Sequence, residues 1–145
     1  HDFLGSDVTG KDLIVVDDMI SSGDSVIDVA QQLKDKGANR IFVFATFGLF
    51  CNGLDNLDKA YADGVIHKIF TTNLVYRTPE LLAREWYCEV NMCKYVAYII
   101  DTLNHDESIS TLLEPSKRIH KLLDKHNASL KERKNREATP LASHD

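Results

Sequence analysis

Two adjacent carboxylates, Asp17 and Asp18, close the apolar run Leu13 to Val16, and a hydroxyl-rich stretch, Ser21-Ser22-Gly23-Asp24-Ser25, follows at once. Paired acids can accept hydrogen bonds from two vicinal hydroxyls, or hold a magnesium ion through its waters. Serine hydroxyls can donate to an anion, and a glycine lets the backbone turn tightly among them. If a helix starts at the end of this stretch, its first N–H groups have no internal partner, and its dipole favours a phosphate by about 0.3–1 kcal/mol. The acids and the anion donors are four to eight residues apart, a spacing that matches the 2,3-hydroxyls and the 5-phosphate of a ribose ring.

For this chemistry the chain must place the acids at a strand end and the serines at a strand-to-helix turn. Leu13 to Val16 is a continuous β-branched run of the kind found in a strand buried on both faces, which belongs to a parallel sheet. From Ser25 the period changes: Val26, Val29, Ala30 and Leu33 form one helical stripe, with Gln31, Gln32, Lys34 and Lys36 facing water and Gly37 placed to end the helix. Ile41 to Ala45 supplies a second strand, so residues 13 to 45 read as strand, helix, strand with a right-handed crossover. Leu54, Leu57, Ala60 and Tyr61 predict a short helix, Val65 to Thr71 a third strand, and Trp86 to Val90 a fourth. Thr78-Pro79 is a helix start, with threonine as N-cap and proline at the first helical position of a helix running through Leu81 to Glu85. The fold class is therefore α/β, a parallel sheet flanked by helices that bind ligands at the carboxyl edge of the strands. Met92, Val96, Ile99 and Leu103 mark one later helix face, and Ile119, Leu122 and Leu123 another.

Residues 1–127 read as one domain. From Ala128 apolar residues nearly vanish and charges alternate, so residues 128–145 are expected to be a disordered, solvated polar tail. Three or four strands, the first beginning almost at once, make a small sheet, and the domain is expected to be incomplete at its N-terminus.

The 145 residues carry a formal net charge of −5 and 43% hydrophobic residues. An acidic chain argues against nucleic acid as a partner, since duplex binding needs a basic face. No run of about 18 apolar residues and no secretory signal occurs, so a soluble, cytoplasmic protein without membrane contact is expected. Cys51, Cys88 and Cys93 form no Cys-x-x-Cys pair and the six histidines no metal-binding spacing, which leaves reduced thiols and a low expectation of a histidine metal site. Walker-type and Gly-x-Gly-x-x-Gly loops are both absent.

Val16-Asp-Asp-Met-Ile-Ser-Ser-Gly-Asp-Ser25 resembles the phosphoribosyl-diphosphate signature of the type I phosphoribosyltransferase fold, and is most similar to that of ribose-phosphate diphosphokinases. The resemblance extends through Asp7-Val-Thr-Gly-Lys-Asp-Leu-Ile-Val-Val-Asp-Asp-Met19, Lys36-Gly-Ala-Asn-Arg-Ile-Phe-Val-Phe-Ala-Thr-Phe-Gly48 and Asp106-Glu-Ser-Ile-Ser-Thr-Leu-Leu113, roughly the first 115 residues. It implies that Asp17 and Asp18 bind the ribose hydroxyls, with Mg²⁺ held through water, and that Ser21, Ser22, Gly23, Asp24 and Ser25 wrap the 5-phosphate. It further implies transfer of the β,γ-diphosphoryl group of ATP to ribose 5-phosphate, giving phosphoribosyl diphosphate for nucleotide biosynthesis, by a homo-oligomer. The ATP-binding elements and catalytic basic residues of the family lie upstream and partly on a neighbouring subunit. This stretch alone is therefore not expected to turn over, and no catalytic residue is assigned within it.

Three positions depart from the family pattern. Ser21 stands where the family loop has an acid, Asp24 where it has a second small residue, and Phe47 where it often has histidine. Other readings are a nucleobase phosphoribosyltransferase, which shares the loop, and a non-catalytic regulatory homologue that binds ribose phosphate without turnover. The blandest alternative is ordinary capping by Asp24 or Ser25, with Asp17 and Asp18 merely solvated. The apolar arc with Tyr95, Val96, Tyr98 and Ile99 is expected in a core or a subunit interface.

Overall fold

A computed structural model describes residues 7–110, 114 and 116–137. The chain divides into a first unit, residues 1–94, and a second, residues 95–145. In the first unit strand β1 (Leu13–Ile20) leads to helix α1 (Asp24–Asp35), β2 (Ile41–Gly48), α2 (Asp55–Ala62), β3 (Lys68–Thr72), α3 (Pro79–Leu82) and β4 (Tyr87–Val90). The four strands are all parallel and lie in chain order, β1-β2-β3-β4, with Leu13 opposite Ile41, Phe42 opposite Lys68 and Ile69 opposite Tyr87.

Parallel strands added in one direction by right-handed crossovers carry every connecting helix on the same face. Burial follows that rule. Ile41, Val43, Ala45, Ile69 and Tyr87 pack with Val26, Ala30 and Leu33 of α1, Leu57 and Ala60 of α2, and Leu81 of α3 in one core. The alternate residues Ile14 and Val16 are 66% and 77% exposed. The expectation that Leu13 to Val16 is buried on both faces is thus corrected: among the described residues β1 is an edge strand covered on one face only.

Polar anchors finish this core. Thr71 Oγ1 and the Tyr87 hydroxyl share a buried hydrogen bond of 2.8 Å. Buried Trp86 donates its indole N–H to Asp58 Oδ1 at 2.7 Å, and Arg84 Nε donates to both oxygens of the same carboxylate at 2.9 and 3.0 Å. One acid on α2 thereby ties down the segment that enters β4. The expected cap is present: Thr78 Oγ1 accepts from Leu81 N–H at 3.2 Å, with Pro79 opening α3. That helix stops at Leu82, short of the expected Glu85, because Arg84 and Trp86 turn to Asp58.

Helix α4 (Cys93–Asn104) spans the boundary between the units, and α5 (Ser116–Glu137) lies in the second. The apolar stripe Ile119, Leu122 and Leu123 is exposed on α5. The disordered tail expected from Ala128 is corrected as far as Glu137, where the chain is helical and residues 128–131 are exposed. Lysine, arginine and glutamate are good helix formers, and opposite charges four residues apart support a helix that buries nothing. Residues 138–145 of that tail, and residues 111–113 at the end of the Asp106 to Leu113 stretch, lie outside the described residues. Among the described residues no helix is long and apolar enough to cross a membrane.

Candidate functional site

The acids sit inside β1 rather than beyond it. Asp17 is in register with Ala45 of β2, and the pairing continues through Met19 with Phe47 and Ile20 with Gly48. Neighbouring strand residues point to opposite sides, so the two carboxylates diverge instead of turning outward together at the strand end. Both are solvent exposed, and Asp17 Oδ1 accepts the Asp18 backbone N–H at 2.8 Å. Their exposure is what their place on an edge strand dictates.

Three residues then carry the chain from β1 into α1. Gly23 is the N-cap of α1, at φ 94 and ψ −11, and no side chain caps the helix. Capping by Asp24 or Ser25 is therefore excluded, since Asp24 is already the first helical residue. The first helical hydrogen bond runs from Ile27 N–H to Gly23 O at 3.0 Å. Ser22 Oγ accepts from Asp24 N–H at 3.3 Å, which folds the serine over the start of the helix. Glycine is required at 23 on two counts. Its left-handed φ is unfavourable for other residues, and an added Cβ would stand 3.2 Å from both Leu57 Cδ atoms.

The connection from β2 to α2 runs alongside this loop. Leu49 N–H donates to Ile20 O at 2.8 Å and Cys51 N–H to Ser21 O at 2.9 Å, so the sheet ladder is carried on into the two loops. Ser21 Oγ lies 3.9 Å from Cys51 Sγ. Phe50, at φ 49, turns its ring back beneath Gly48, where a Cβ would meet ring carbon Cε2 at 2.6 Å. Phe47, just before, is 38% exposed at the same sheet edge.

Asp24 faces a different neighbour from the serines. Its Oδ1 accepts from Asn56 Nδ2 at 3.3 Å, and with Ile27, Asp28, Gln31, Asn56 and Lys59 it lines a cavity of about 250 Å³ between α1 and α2. A second cavity, about 320 Å³, opens past the end of β2 among Gly48, Leu49, Phe50, Asp55, Thr78 and Arg84. Asp17, Asp18, Ser21, Ser22, Gly23 and Ser25 line neither of these two cavities; they form a rim along the carboxyl half of β1 and the turn after it, with Asp17, Asp18, Ser21 and Ser25 exposed, Ser22 half-buried and Gly23 buried. The structure thus gathers Ser21, Ser22 and Ser25 around the start of α1, and leaves the acids upstream on the strand. Asn56, Leu57 and Cys51 complete this edge and carry no local sequence signal, because each comes from the next βα connection.

The family model of the phosphoribosyl synthetase-associated domain matches residues 3–114. The ribose-phosphate pyrophosphokinase of Shewanella oneidensis is 35% identical over 107 residues, which are 73% of this chain and 33% of that protein. That of Vibrio parahaemolyticus is 33% identical over 110 residues, 75% of this chain and 34% of the relative. Among solved structures, phosphoribosylpyrophosphate synthetase from Mycobacterium smegmatis superposes with a TM-score of 0.61 at 22% identity, covering 70% of this chain and 33% of that one. The likeness to that structure shows the fold, which is that of the type I phosphoribosyltransferases. The chain spans about a third of the length of the relatives it matches. With more than half of its length matched by that family model, this chain belongs to the phosphoribosyl synthetase-associated domain family, and over the same span it is similar to ribose-phosphate pyrophosphokinases.

Proposed function

We propose that this chain is the ribose-phosphate-binding portion of a ribose-phosphate diphosphokinase, and that the rim of Asp17, Asp18, Ser21, Ser22, Gly23 and Ser25 holds ribose 5-phosphate. The observation that carries this reading is the start of α1: a helix N-terminus that no side chain caps, entered through a glycine in the left-handed region and flanked by serines. Asp24 N–H is held by Ser22 Oγ, and the remaining first-turn N–H groups of Ser25 and Val26, with nearby hydroxyls, suit a phosphate ester. Asp17 or Asp18 accepts from the sugar hydroxyls, which fixes the ring with its 1-hydroxyl directed at the nucleotide.

In the reaction, the oxygen of that hydroxyl bonds to the β-phosphorus of ATP, the bond from the α,β-bridging oxygen to the β-phosphorus breaks, and AMP leaves. The hydroxyl proton passes to a base in water. Transfer of this kind depends on positioning and charge neutralisation more than on a covalent intermediate. Exposed carboxylates suit Mg²⁺, which keeps most of its waters, and no cluster of three or more metal-ligating side chains forms among the described residues. Asp17 or Asp18, whichever faces the sugar, would hold the ion through water, and the ion would supply positive charge to the transfer. ATP contacts and the catalytic basic groups come from other parts of a longer, cytoplasmic protein and from a neighbouring copy. The apolar arc of α4, with Tyr98, Ile100 and Leu103 exposed, is the surface best suited to that association.

The test is AMP formation by the complete protein from ATP, Mg²⁺ and ribose 5-phosphate. Whichever of Asp17→Asn and Asp18→Asn removes the acid that faces the sugar should raise KM for ribose 5-phosphate by about tenfold, the loss expected when a charged hydrogen-bond acceptor is neutralised, and no rise in either variant would remove the role of the acids. No AMP from the unmodified protein would remove the reading. Serine at position 21, where the family loop has an acid, favours a second reading, a regulatory homologue, which tight ribose 5-phosphate binding without AMP formation would identify.

A further inference from the structure

We propose that Asn56 is a positioning residue, which draws the Asp24 carboxylate off the phosphate loop and so makes an acid at the first position of α1 compatible with anion binding. The proposal rests on the ribose-phosphate site argued above. Asp24 follows Gly23 directly, so a carboxylate free to swing toward the loop would meet any anion held there with the same charge. Its oxygen is instead taken by Asn56 Nδ2 at 3.3 Å, on the side that faces α2. There it shares a groove with Lys59 and with two further acids, Asp28 and Asp63, so the Asn56 amide is the contact that holds it.

Asn56 is held where it can act. It is the second residue of α2, and the next residue, Leu57, is 1% exposed and packs against Gly23 itself. The contact that shapes the loop therefore also fixes the amide beside Asp24. An acid in the first turn favours α1 through the helix dipole, whichever way its side chain points. Asn56 lets the carboxylate serve the helix without opposing the phosphate.

The experiment is calorimetric binding of ribose 5-phosphate to the complete protein, with inorganic phosphate as competitor, in Asn56→Ala, Asp24→Asn and the double variant. Asn56→Ala should weaken binding about fivefold at low salt, and the loss should shrink toward about twofold near 0.5 M salt, because its origin is charge repulsion. Asp24→Asn should bind at least as tightly as the unmodified protein. In the double variant Asn56→Ala should have no further effect, since no charge remains to be restrained. Both residues are exposed, so unfolding midpoints should hardly move. Unchanged affinity in Asn56→Ala, or a double variant as weak as Asn56→Ala alone, overturns the role of Asn56 while leaving the site intact. Failure of the unmodified protein to bind ribose 5-phosphate is a different result, and removes the site and the proposal together.

Discussion

Replacing Gly23 with alanine tests the loop most directly. At φ +94 a residue with a Cβ loses about 1–2 kcal/mol relative to glycine. The new methyl would also stand 3.2 Å from Leu57 Cδ1 and Cδ2 and 3.3 Å from Cγ. Leu57 is 1% exposed and must give by a few tenths of an ångström, a displacement passed into the core at about 1 kcal/mol. Together these predict a destabilisation of about 2–3 kcal/mol, which at a urea m-value of about 2 kcal/mol/M is a midpoint lowered by roughly 1–1.5 M. Fluorescence of Trp86, the single tryptophan of the chain, reports the transition. The two terms separate in a Leu57→Ala background: the steric part disappears, and Gly23→Ala should then lose only the backbone part, about 1–2 kcal/mol. Ribose 5-phosphate affinity should fall in both backgrounds, because the turn that presents the N–H groups has moved. A loss below about 0.5 kcal/mol in the unmodified background would mean that the loop does not hold this conformation in solution.

Asp58→Ala removes the acceptor of the buried Trp86 indole N–H as well as the partner of Arg84, and should lower stability by about 1–3 kcal/mol with a shift in Trp86 emission; an unshifted spectrum would contradict the contact. The pH dependence at the other end of the sheet follows from Asp12, whose carboxyl is held below the ordinary range mainly by hydrogen bonds from the Arg40 guanidinium, with Asn39 and the backbone assisting. A carboxyl lowered in the folded state adds stability that is fully present above its unfolded pKa and is lost as pH falls through the folded one. Acid unfolding should therefore steepen below about pH 4, and Asp12→Asn should flatten that limb; an unchanged acid limb would refute the pairing.

The core of this fold was legible because it repeats a simple period. Val26, Ala30 and Leu33 are the buried stripe of α1 that the spacing announces, and Thr78-Pro79 caps α3 as its residue types require. Hydrophobicity gave no sign that β1 and β2 run on to Ile20 and Gly48. Past Val16 three exposed residues, Asp17 to Met19, are kept extended by backbone pairing with β2 before Ile20 returns to the core at 1% exposure. The polar extension of α5 was missed for a related reason, since a helix maintained by local propensity shows no apolar period. Of the candidate site, the order of acids, serines and glycine could be read directly. The link from Asp24 to Asn56 could not, because it joins residues 32 apart that meet only after two strands have paired. The departure at position 24, an acid beside the phosphate loop, becomes intelligible only beside α2.

Every strand in this sheet bonds to the strand that precedes or follows it in the chain. Among the described residues each pairing therefore closes a connection of 18 to 28 residues, from Leu13 with Ile41 to Ile69 with Tyr87, and none needs a longer one. During synthesis each βα pair can dock on the one before it as it emerges. The rim at Asp17 to Ser25 would then be framed once the second strand and the helix behind Gly23 are in place, well before the last strand is made.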